Sequence, residues 1–130
     1  MTRHLAMLFA LVALAIPAAA QERQTRAIGP NTICGHAFAM RLVAGESAVS
    51  ERGPDFLLYY VTAADGPFTL YEGNFPQPHD DEIATGLDFP RLIAIHDNRP
   101  AAAKARSRVR DRVLTGDARR AACSLTGGRM

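Results

Sequence analysis

Residues 55–76, DFLLYYVTAADGPFTLYEGNFP, narrow the possible folds more than any other stretch of this chain, because two apolar and aromatic runs flank a turn signal. Such residues suit a pleated, half-buried surface, and the pattern predicts a β-hairpin at the centre of a small sheet. Asp65 and Gly66 alone would suggest a two-residue turn. Pro67 would then have to donate a ladder hydrogen bond, and proline has no N–H. A loop over residues 63–67 fits instead and sets Thr62 opposite Phe68, Tyr60 opposite Leu70 and Leu58 opposite Glu72, with Val61 facing Thr69 and Tyr59 facing Tyr71. In that register Phe56, Leu58, Tyr60, Phe68 and Leu70 read as core. Leu57, Tyr59, Val61 and Tyr71 form a second face, apolar but tipped with hydroxyls, that is either covered by a helix or offered to a partner.

The flanking segments supply the rest of an α+β domain. Residues 33–43, ICGHAFAMRLV, alternate with Cys34, His36, Phe38, Met40 and Leu42 on one face, which predicts a strand. Residues 44–54 form a turn-rich connection with room for a short strand at Ala48 and Val49, and residues 76–82 form a polar loop. Residues 83–90 fit no period, whereas residues 91–96, RLIAIH, read as a further strand. Asn98, Arg99 and Pro100 resemble a helix start, and residues 101–114 carry a helical stripe through Ala102, Ala105, Val109 and Val113. Gly116 is a natural terminator, and Asp117 can cap a second short helix that carries Cys123 back to Cys34. The expected architecture is a mostly antiparallel sheet of about four or five strands with a C-terminal helix packed on one face.

Residues 1–20 read as a cleaved export signal: Arg3 and His4, twelve apolar residues from Leu5 to Ile16, then Pro17 and the small residues Ala18, Ala19 and Ala20. A helix of that length rises about 18 Å, short of the ~30 Å hydrocarbon core, so no transmembrane segment is expected after cleavage. The expected product is a single domain over residues 21–130, periplasmic or secreted. Two cysteines in that setting, Cys34 and Cys123, predict one disulfide. It would close a loop of about 90 residues, worth roughly 4–5 kcal/mol in the chain-entropy model.

Charge is divided along the chain. Residues 21–90 hold four arginines against ten acids, net −6, and residues 91–130 hold ten Lys or Arg against three acids, net +7. Arg106 with Arg110, and Arg108 with Arg112, are like-charge i,i+4 pairs on the expected helix and repel in isolation. Such a helix is tolerated where the arginines lie against the acidic half of the same fold, or where they meet an anionic component of the cell envelope. No nucleic-acid-binding motif is present.

Catalytic signatures are sparse. His79, Asp80, Asp81 and Glu82 are the best metal candidates, with His96 as a further base, yet contiguous residues rarely converge on one ion and no H-E-x-x-H or EF-hand spacing occurs. No nucleophile elbow or glycine-rich phosphate loop is found, and no cofactor is expected. His36 reads as a hydrogen-bonded core histidine. The chain therefore reads as an exported, non-catalytic binding protein of the periplasm or envelope whose partner is a protein or an anionic envelope component. Its first candidate surface is Tyr59 with Tyr71, and its second is Arg106, Arg108, Arg110 and Arg112. The competing expectation is a small metal-assisted hydrolase built on His79, Asp80, Asp81 and His96.

Overall fold

The structure, a computed structural model, describes residues 26–27, 31–74 and 78–124. The expected export signal over residues 1–20 lies outside these residues. Eight strands and three helices are described: β1 (Arg26–Ala27), β2 (Thr32–Cys34), β3 (Ala39–Arg41), β4 (Ser47–Arg52), β5 (Phe56–Thr62), β6 (Phe68–Gly73), β7 (Asp81–Ala84), β8 (Leu92–Asp97), α1 (Ala101–Arg106), α2 (Val109–Arg112) and α3 (Gly116–Ser124). Six strands make one sheet in the order β1-β4-β5-β6-β8-β7, and β2 and β3 pair separately. All the pairings are antiparallel, so the class is α+β.

The expected hairpin forms as β5 and β6, but its register differs by one residue. Val61 pairs with Phe68, Tyr59 with Leu70 and Leu58 with Tyr71. Because side chains alternate across a strand, this slip moves every β5 side chain to the other face relative to β6. Tyr59, Val61, Phe68 and Leu70 now share the core face with Ile93 and Ile95 of β8. Small residues on β4, Ala48 and Ser50, stand beside Val61 and Tyr59 on that face. They leave room for the second layer, in which Ile33, Phe38 and Met40 pack down onto the sheet with Val109 of α2.

The segment expected as one strand over residues 33–43 is a tight hairpin. Cys34 pairs with Ala39 and Ile33 with Met40, and Gly35 N–H donates to the Phe38 carbonyl at 2.9 Å. What folds it back is a distant carboxylate. Glu72 of β6 accepts the backbone amides of His36 at 2.7 Å and Ala37 at 3.1 Å, so the bend is held by the sheet beneath it. Only glycine fits at position 35, since a Cβ there would lie 2.8 Å from the Phe38 ring and 2.9 Å from the Glu72 carboxylate.

The expected helix over residues 101–114 is broken at Ser107 and Arg108, both extended. The Arg99 guanidinium captures the Ser107 carbonyl at 2.5 Å, and Leu114 exchanges two backbone hydrogen bonds with Ala39. These tertiary bonds outweigh the local helix propensity of the alanine-rich segment. Gly116 opens α3 with a positive φ instead of ending a longer helix. That helix carries Cys123 to Cys34, closing the expected disulfide.

Candidate functional site

Tyr59 and Tyr71 do not form one surface. Tyr59 is 4 % exposed on the core face, meets Phe38 edge-on at 5.3 Å, and donates to Glu72 Oε1 at 3.5 Å. Burial, then the neighbouring Glu72 charge, pushes its phenol far above the ordinary value of 10.0. Tyr71 points to the opposite face, 8 % exposed, and stacks on Phe56 with ring centroids 5.6 Å apart. Its hydroxyl covers Gly73, where a Cβ would fall 2.6 Å away. The one-residue slip is the reason the expected tyrosine face is not formed: both rings serve packing, on different sides of the sheet.

The arginines of the C-terminal segment turn onto acids and carbonyls of the same chain. Arg108 bonds Asp81 at 2.9 Å, Arg110 donates to the Glu82 carbonyl at 2.7 Å, and Arg106 approaches Asp65 at 3.8 Å. Arg112 reaches Glu46 at 2.6 and 2.8 Å and the Arg41 carbonyl at 2.9 Å. Arg112 and the buried Arg99 both lie over the Phe68 ring, at 5.7 and 5.6 Å. Arg99 in turn makes a two-point ion pair with Asp97, both bonds 2.9 Å. Burial opposes ionisation of Glu46 and Asp97, but the hydrogen bonds and charge of Arg112 and Arg99 outweigh it and hold both carboxyls below their usual range.

His79, Asp80, Asp81 and Glu82 disperse in the same way. His79 meets Glu82 at 3.2 Å, and Asp80 accepts the Asp97 amide at 2.9 Å with His96 at 3.7 Å. Asp81 is taken by Arg108. Asp81 and Glu82 already belong to β7, whose alternation sends them to opposite faces. Among the described residues no cluster of three or more His, Cys, Asp or Glu is arranged to hold a metal ion.

The place where unspent polar groups meet apolar walls lies at the end of the sheet, where the β4–β5 turn, the end of β6, the β2–β3 bend and the loop before β8 converge. A cleft of about 140 Å³ opens there between the two layers. Leu57, Phe56, Phe89 and Pro90 supply apolar walls, Glu72 lies at its base, and His36, Arg52 and Asp55 line its mouth. Arg52, Leu57 and Glu72 stand in one row across β4, β5 and β6, which fixes them on the core face. Glu72 is 1 % exposed and Phe89 is 48 % exposed, so the cleft runs from a buried carboxylate to an open aromatic rim. Among the described residues the side chains of His36, Arg52 and Asp55 make no hydrogen bond or ion pair.

Sequence reasoning did not assemble this cleft. Its one local signal was a strand-interior acid, Glu72, in an otherwise apolar run, which asks for a buried partner. Comparison of the chain with protein-family models, with curated proteins and with solved structures finds no match.

Proposed function

We propose that this chain is an exported, non-catalytic binding protein of the periplasm or envelope, and that it binds through the end cleft. One observation carries the reading: polar groups without partners converge with apolar walls at this cleft, whereas the other candidate groups are engaged within the chain. Such a mixture of apolar lining with a few convergent polar groups is the usual make-up of a ligand pocket. Its size is modest, since a cavity of about 150 Å³ holds one benzene-sized group. Export rests on the apolar run over residues 5–16 and is in keeping with the disulfide.

Native mass spectrometry of the protein purified from its own envelope fraction without reductant tests this reading. The expected species begins near Gln21, lies two hydrogens below the reduced mass, and retains a small organic molecule. Removing that molecule should shift the NMR amide signals of His36 and Leu57. A stoichiometric metal lost in His79→Ala would replace the reading with the metal-assisted hydrolase. An uncleaved or empty chain would count against it.

A further inference from the structure

We infer that the cleft is built for a small zwitterion, an α-amino acid with an apolar side chain; this rests on the cleft being the binding site. The lining offers one guanidinium, Arg52, and one solvent-facing carboxylate, Asp55, on either side of the β4–β5 turn. Among the described residues neither makes a hydrogen bond or ion pair, although the Arg52 charge acts on the buried Tyr59 phenol. Two opposite charges left apart at one mouth match a ligand that carries both signs at short separation. An anion alone would meet Asp55 unpaired, and a cation alone would meet Arg52 unpaired. Either arrangement carries a desolvation cost without a matching bond.

The remaining groups agree with this assignment. Arg52 presents a planar fork suited to a carboxylate, and the exposed His36 imidazole offers a further nitrogen beside it. Asp55 accepts from an ammonium group. Glu72 has already committed three acceptor positions, to the amides of His36 and Ala37 and the Tyr59 hydroxyl. Glu72 is thus spent on the bend and the hydroxyl, and the ammonium is left to Asp55. Leu57, Phe89 and Pro90 face what remains of the ligand, and a volume of about 140 Å³ admits a side chain no larger than a phenyl ring.

NMR titration of the oxidised, mature domain with L-phenylalanine, 3-phenylpropionate and phenethylamine tests the inference, the last two lacking the ammonium and the carboxylate in turn. Saturable shifts confined to residues 36–37, 52–57 and 89–91 are expected with phenylalanine. Both single-charge analogues should bind about tenfold or more weakly, the loss that one charge-assisted hydrogen bond brings. Arg52→Gln and Asp55→Asn sit at exposed positions and should fold normally while each weakening phenylalanine by a similar factor. If either analogue binds as tightly as phenylalanine, the zwitterion assignment falls while the cleft reading stands. If millimolar phenylalanine and leucine shift nothing, the assignment falls as well, and the molecule retained in the native mass spectrum then defines the ligand class.

Discussion

The C-terminal flank and the end cleft use the same residue types in opposite ways. On the flank, Arg99, Arg108, Arg110 and Arg112 are each bonded to carboxylates or carbonyls of the same chain, and the acids they meet lie as far as 66 residues away in sequence. At the cleft, Arg52 and Asp55 lie three positions apart and remain unbonded, while the carboxylate between the layers, Glu72, is spent on backbone amides. A dense run of charge is thus not in itself a binding surface. What distinguishes the two regions is whether the fold has already supplied the counter-charges.

The sharpest way to separate the regions is to cut the staple. Cys34 adjoins the bend that contains His36, and α3 carries both Cys123 and Arg119, whose guanidinium bonds the Gly35 carbonyl at 3.1 Å. Replacing both cysteines by serine should cost roughly 2–5 kcal/mol in urea unfolding. The first amides to lose exchange protection should be those of His36 and Ala37, with β7 and β8 following later. Uniform loss would mean that the two regions unfold as one.

Glu72→Ala comes next. It leaves the buried Ala37 amide and the part-buried His36 amide without acceptors, at about 1–3 kcal/mol for a buried donor, so a loss of about 3 kcal/mol is expected. Glu72→Gln keeps one acceptor oxygen and should recover part of it. Equal stability of the alanine variant would show that the bend does not depend on this carboxylate.

Acid and alkali should attack opposite regions. Glu46 and Asp97 have lowered folded-state values, so their contribution is complete above the unfolded values of 4.5 and 3.8 and is lost as pH falls below them. The Tyr59 phenol is raised, so its contribution is complete below the unfolded value of 10.0 and is lost as pH rises beyond it. Ultraviolet titration should therefore show tyrosine ionisation that is completed only with unfolding. Three tyrosines titrating together before unfolding would contradict the burial of Tyr59.

The smallest effect belongs to Arg108→Ala, which removes a pair whose arginine is 57 % exposed. Less than about 1 kcal/mol is expected, shrinking further in high salt. Arg112→Ala should cost more, because its partner Glu46 is only 5 % exposed and would lose two hydrogen bonds.

The sequence made the local features legible. Residues 56–62 and 68–73 carried enough β-propensity to predict the hairpin, and the lone cysteine pair predicted the bridge between Cys34 and Cys123. Features set by long-range partners were not legible. Nothing near Gly35 announces a bend, because the carboxylate that holds it is Glu72 on another layer. The hairpin register was likewise decided by what packs on β5 from β4 and the second layer, so Tyr59 and Tyr71 were assigned to one face that the fold divides. The cleft needed all of these distant choices at once.

The disulfide also fixes how the molecule would bear tension. It joins Cys34 to Cys123, so all of β3 through α2 lies inside a covalently closed loop of sequence separation 89. A pull applied at the two ends passes from Cys34 straight to Cys123 and leaves that loop unloaded. Outside it, the pull can peel the two-residue β1 from β4 and strip β2 from β3, whereas α3 is held at Cys123, with only Ser124 of the helix beyond the bridge. Force spectroscopy of the oxidised protein would record a short extension, and the full contour length would be released only after reduction. The end cleft, enclosed by the loop, is mechanically insulated from whatever the termini are attached to.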